Sequence, residues 1–204
     1  MKGSALWGIM LLSTIAPLAA QASGQELFQQ RCQACHQTDA GGSEALKAPA
    51  LAGLSAPYLA LQLRHFRDGV RGTAAADTEG QLMAGIAKGL SDGDITALAE
   101  YLAAQPSVLA PRPPAPQGFA ARGLYSSCSS CHGASAEGFD SLGAPRLAGQ
   151  HSGYLKAQLL KFRQGLRGTH PDDANGAQMR AMAVAIPNDA TLDTLVQYIG
   201  QQGR

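Results

Sequence analysis

Cys32-Gln33-Ala34-Cys35-His36 returns as Cys128-Ser129-Ser130-Cys131-His132, at an offset of 96 residues (128 − 32). Two residues between the cysteines make one turn, which turns both sulfurs toward one edge of a bound group and places the following histidine beneath it. C-x-x-C-H is the attachment pattern of a c-type haem, with thioethers to the porphyrin vinyls and the histidine as proximal iron ligand. All four cysteines of the chain fall in the two copies. A structural zinc site wants two ligand pairs close together, whereas these lie in separate halves. Neither a disulfide framework nor a redox dithiol needs a histidine at either place. Two covalently bound haem c groups are therefore expected, on Cys32, Cys35 and His36 and on Cys128, Cys131 and His132.

Outward from the motifs, the same offset superposes the halves without a gap from Cys32 and Cys128 to Leu90 and Ile186. Ala48-Pro49, Leu51-Ala52-Gly53, Tyr58-Leu59, Gln62-Leu63, Phe66-Arg67 and Arg71-Gly72-Thr73 meet Ala144-Pro145, Leu147-Ala148-Gly149, Tyr154-Leu155, Gln158-Leu159, Phe162-Arg163 and Arg167-Gly168-Thr169. Self-similarity of this kind is one small domain duplicated. The expected domains are 23–104 and 118–204, joined over 105–117 by a linker that Pro106, Pro111, Pro113, Pro114 and Pro116 make extended and semi-rigid. Residues 1–22 open with Lys2, continue as an apolar run too short and interrupted for a comfortable membrane span, and end in Ala20-Gln21-Ala22. That pattern is a cleaved secretory signal, and it predicts a periplasmic protein.

The periodicity within each copy is helical. Leu27 and Phe28 suit a short helix running into Cys32. Tyr58, Leu59, Gln62, Leu63 and Phe66 recur at steps of three and four, as do Ile95, Leu98, Tyr101 and Leu102. Ser91 reads as an N-cap, with Asp92 and Asp94 in the favourable first turn. No alternating strand pattern appears, so the fold class is all-α: two tandem domains, each wrapped round its haem.

For the sixth iron ligand, Met83 is the methionine of the first domain that follows its motif, and the offset maps it onto Met179. Met182 falls opposite Ile86 and reads as packing, remaining the rival candidate for the second iron. A methionine ligand raises the potential and closes the iron to small molecules, whereas a vacant position permits catalysis. Arg67, Arg71, Arg163 and Arg167 follow the amphipathic helices, where they can pair with haem propionates, bridge the domains or simply be solvated. His65 faces Lys161 in the repeat and is expected on the surface, which argues against bis-histidine ligation.

These motifs together resemble the dihaem cytochromes c of the c4 type over nearly the whole mature chain. The resemblance rests on C-x-x-C-H, Ala-Pro-x-Leu-Ala-Gly, Tyr-Leu-x-x-Gln-Leu-x-x-Phe-Arg-x-Gly-x-Arg-Gly, a later Met and a closing Ser-Asp-x-Asp-Ile helix. It implies two class I cytochrome c folds joined head to head and His/Met ligation at both irons through His36, Met83, His132 and Met179. It also implies that the Pro49 and Pro145 carbonyls orient the proximal histidines. The second half departs from the pattern at Pro187-Asn188-Asp189-Ala190-Thr191, with one extra residue before Tyr198, which puts the start of its last helix in question.

The net charge of +1 hides an asymmetry. Residues 23–104 hold six basic and nine acidic side chains, and 117–204 hold eight and six. Opposite ends of the molecule can therefore steer different partners. No basic run points to nucleic acid. The expected function is electron transport with no catalytic residue. The resemblance implies a terminal oxidase as acceptor, with quinol:cytochrome c reductase the expected donor and any membrane association loose. Two alternatives stand: a dihaem peroxidase with one open iron, and the cytochrome subunit of a periplasmic dehydrogenase.

Overall fold

The computed structural model describes residues 22–107 and 119–202. The expected signal segment, apart from its last residue, and most of the expected linker lie outside the described residues. The first half folds as α1 (Gly24–Arg31), α2 (Gln33–His36), α3 (Ala56–Arg67), α4 (Thr78–Ala87) and α5 (Asp92–Ala103). The second is α6 (Phe119–His132), α7 (Ser152–Arg163), α8 (Ala174–Val184) and α9 (Asp189–Gly200), with a short 3-10 turn at Asp140–Leu142.

The helices start where their caps dictate. Ser23 and Glu26 form a reciprocal capping box on α1, as Ser91 and Asp94 do on α5, each satisfying two otherwise orphaned N–H groups. α1 then buries Leu27 and Phe28 against α5, where Ile95, Leu98 and Leu102 are almost fully enclosed. Phe28 and Tyr101 lie with ring centroids 5.7 Å apart, inside the range at which aromatic pairs attract. Tyr125 and Tyr198 repeat that contact between α6 and α9 at 5.6 Å. The departure after Ile186 leaves the last helix intact: Asn188 replaces serine as its N-cap and accepts from the Thr191 N–H at 2.9 Å.

The loop after each motif is pinned by the residues that the repeat preserves. Ser43 bridges Ala48, and Phe139 bridges Ala144, in the same register. The buried Ala40 carbonyl accepts from the Leu51 and Ala52 N–H groups at 2.8 and 3.2 Å, and the Ala136 carbonyl from Leu147 and Ala148 at 2.9 Å each. The two successive N–H groups close the loop on one oxygen and carry the preceding proline back over the motif, and Ala52 and Ala148 are buried to the same 6% exposure. Gly72 and Gly168 have φ of +80° and +76°, and a Cβ there would meet the Gly80 and Gly176 carbonyl oxygens at 2.3 and 2.2 Å. Only glycine permits both the left-handed turn and that approach of chain to helix.

The two domains meet through α3 and α7, and the contact has approximate two-fold character. Arg71 donates to Gln62 of its own domain at 2.7 Å and to Gln158 of the other at 2.9 Å. Arg167 donates to Gln158 at 2.8 Å and to Gln62 at 3.0 Å. Each guanidinium also lies over a phenylalanine of its own domain, Phe66 at 4.4 Å and Phe162 at 4.5 Å. Arg71 and Arg167 are thus the interface arginines. Arg67 and Arg163 instead tie the ends of α3 and α7 to Asp92 and Asp189 at the starts of α5 and α9. The surface expectation for His65 is overturned: it is 8% exposed and faces Asp173 of the second domain across the interface. The reason is that the solvent-facing side of an isolated α3 is the side that α7 and its neighbours cover.

Candidate haem sites

His36 closes α2 and is 4% exposed. Its Nδ1 lies 2.9 Å from the Pro49 carbonyl. A carbonyl only accepts, so Nδ1 carries the proton and Nε2 keeps its lone pair free for a metal. His132 at the end of α6 repeats this with the Pro145 carbonyl at 2.8 Å. Burial pushes both imidazoles below their ordinary value despite the upward pull of those hydrogen bonds, and the neutral ring is the form that ligates. The two copies reach the geometry differently: α1 breaks at Cys32 before α2 begins, whereas α6 runs unbroken through Cys128 to His132.

All four cysteines are free of disulfides. Burial pushes the Cys32 thiol up to about 11 and raises that of Cys128. Burial that raises a thiol is the opposite of the electropositive setting that depresses a redox cysteine. Among the described residues no group of three or more His, Cys, Asp and Glu side chains is placed to hold a metal ion.

Cys32, Cys35 and His36 share one cavity with Met83 of α4. Leu51, Leu59, Leu63, Ile86, Leu98 and Leu102 supply much of its apolar wall, and it continues to the interface at Arg71, Gln158 and Pro145. The donor set fits a haem: paired thiols, an oriented imidazole and a thioether round an apolar slot, with cationic groups at one margin. Arg167 Nε is buried without a hydrogen-bond partner, and the nearby Arg71 makes a second buried positive charge, so the interface has unspent capacity for anions. Met179 is half-buried on α8 at the position that Met83 takes on α4, while Met182 is 40% exposed.

Several participants were not singled out from the sequence. Neither α4 nor α8, which carry the methionines, shows a strong apolar stripe. Asp77 and Asp173 cap these helices through the Gly80 and Gly176 N–H groups, both at 2.9 Å. The recurrence of Asp77 at 173 was the available signal. Gln150, which bonds across to Ala50, has Leu54 as its repeat partner and left no such mark.

Two helical domains, each with this motif turned toward a carbonyl-bound histidine, define a c-type cytochrome. The chain belongs to the cytochrome c family, whose model matches residues 21–105 and 120–203. Within it the chain is a dihaem electron-transfer cytochrome of the c4 type, carrying two covalently bound haem c groups. It is 34% identical to a thiosulfate dehydrogenase electron acceptor of Stutzerimonas stutzeri, over 91% of this chain and 89% of that protein. It is 32% identical to cytochrome c4 of Pseudomonas aeruginosa, over 87% of each. Crystalline reduced cytochrome c4 from Pseudomonas stutzeri superposes with a TM-score of 0.72 at 29% identity, covering 88% of this chain and 97% of that one. A thiosulfate dehydrogenase (TsdBA) from Marichromatium purpuratum gives 0.72 at 32% identity; 88% of this chain spans only 40% of that longer one. No described helix is long and apolar enough to cross a membrane.

Proposed function

We propose that the chain is an exported periplasmic carrier that takes single electrons from one redox protein and passes them to another, with both irons six-coordinate. The observation supporting this most directly is the presence of His36 and Met83 in one cavity, with the same pair repeated as His132 and Met179. In this reading Cys32, Cys35, Cys128 and Cys131 form the thioethers, the two histidines ligate through Nε2, and the two methionine sulfurs complete the iron sites. Haem c supplies reversible one-electron exchange when bound. The protein's part is to hold the ligands, exclude water and present Arg71 and Arg167 to the propionate carboxylates. Residues 1–22 act as the cleaved signal, and 105–117 join domains 23–104 and 118–204.

For the partners, quinol:cytochrome c reductase as donor and a terminal oxidase as acceptor fit a free carrier. The thiosulfate dehydrogenase electron acceptors among the relatives favour a second donor, a thiosulfate dehydrogenase, to which the chain would be the cytochrome partner. The two are separated by mixing the oxidised holo-protein with each donor and its substrate and following reduction optically. Fast, catalytic reduction by one donor identifies it; failure of both to reduce the protein contradicts the carrier reading.

A further inference from the structure

Gln150 belongs to the second domain, is 6% exposed, and serves the first. Its Oε1 accepts from the Ala50 N–H at 2.9 Å, and its Nε2 donates to the Ala50 carbonyl at 2.9 Å. The His151 N–H donates to the same Oε1 at 3.0 Å, fixing the amide from behind. The Ala50 N–H lies in the same peptide unit as the Pro49 carbonyl, which accepts from His36 Nδ1 at 2.9 Å. One amide plane therefore links His36 of the first domain to Gln150 of the second. Gly42, at φ +78°, backs that plane so closely that a Cβ would lie 2.6 Å from the Ala50 nitrogen. The peptide has little room to tilt away.

Among the described residues the second domain has no matching device. The repeat places Leu54 at the position of Gln150, and a leucine side chain offers nothing to the N–H of Arg146 that follows Pro145. Hydrogen bonds in series polarise one another, by about 10–30% per bond. Drawing on the Ala50 N–H leaves more negative charge on the Pro49 oxygen, strengthens its hold on the Nδ1 proton and makes His36 a stronger donor through Nε2. A stronger donor favours the ferric state and lowers the potential.

We infer that Gln150 is a positioning residue through which the second domain sets the electron donation of His36, holding the reduction potential of the first haem below the value it would have alone. The inference rests on His36 as an iron ligand. It makes the Gln150–Ala50 contact a determinant of one potential and not the other.

The test uses the holo-protein and two variants, Gln150→Leu and the unbranched Gln150→Met. In either, the midpoint potential of the first haem should rise while that of the second stays, and the His36 Nδ1 proton resonance of the ferrous protein should move to higher field. His151→Ala serves as control. It removes the contact of His151 Nε2 with the Gly41 carbonyl, 2.8 Å long, from the same interface but leaves Ala50 bonded, and should leave both potentials in place. Unmoved potentials in both Gln150 variants, equal movement of the two haems, or an equal shift in His151→Ala would overturn the inference. A wild type lacking histidine-ligated spectra would instead overturn the ligand assignment, so the two failures are distinguishable.

Discussion

Lys161 and His65 occupy the same position of the repeat, and each faces a buried carboxylate of the opposite domain: Lys161 Nζ lies 2.5 Å from Asp77, and His65 Nδ1 lies 3.8 Å from Asp173. The approximate two-fold thus pairs a permanent cation on one side with a titratable one on the other. Lys161 also reaches Glu79 at 2.8 Å, and Glu79 meets Lys47 at 2.9 Å. Among the described residues the histidine side has no such support, and His65 Nδ1 has no hydrogen bond.

This asymmetry gives acid stability a defined shape. Burial pushes His65 below its ordinary 6.5; Asp173 pulls it upward, while Arg167, Arg71 and His170 push it further down. The unfolded chain therefore binds the proton first, so stability is full above pH 6.5, falls as pH drops below it, and levels once the folded histidine also protonates. Lys161 and Lys47 hold Glu79 at about 2 instead of 4.5, adding a second loss as pH falls from 4.5 towards 2. Melting temperature measured against pH should decline in these two stages. His65→Gln should flatten the first and Glu79→Gln the second; an unchanged slope in either variant contradicts its assignment.

Removing Lys161 takes the ion-pair partner from Asp77, which is 2% exposed and keeps its capping bond to the Gly80 N–H. Breaking a buried pair from one side costs about 3–5 kcal/mol, because a charge stays buried without its partner. Lys161→Met should destabilise the holo-protein by about that much in denaturant titration, and adding Asp77→Asn should recover a large part of it. A single variant within about 0.5 kcal/mol of wild type would show that the pair carries little.

The two methionines of α8 should behave oppositely. Met179→Ala should abolish half of the far-red sulfur-to-iron absorption and raise carbon monoxide binding to one haem per chain. Met182→Ala, at a site 40% exposed, should leave both properties unchanged. The reverse pattern would transfer the ligand role to Met182.

A domain of about 80 residues buries too little apolar surface to be secure alone, and here the apolar cavity occupies the space where side chains would otherwise meet. Replacing all four cysteines by alanine, so that haem cannot attach, should leave the chain largely unfolded by far-ultraviolet circular dichroism. A cooperative thermal transition in that variant would contradict this.

The duplicated architecture was legible because C-x-x-C-H cannot vary without losing attachment, and because Ala52 and Gly72 answer to local burial and close approach that both copies share. Ser91 was legible as a cap for the same local reason. The interface was legible only at Arg71 and Arg167, since its other contacts join residues remote in sequence and partly break the repeat. His65 carries no sign of Asp173, and Gln150 stands where the first domain has Leu54. Met179 was chosen over Met182 by register alone, because an α8 with little amphipathic contrast does not announce which side it turns inward.

The carrier role rests on two closed, His/Met-ligated irons. The most direct measurement is the absorption spectrum of the purified holo-protein, oxidised and reduced, with and without carbon monoxide. A carrier with both irons closed should show a far-red band of full intensity for two haems and no change on adding carbon monoxide. Carbon monoxide binding to half of the haem would show one open iron and move the reading to an enzyme of the peroxidase kind.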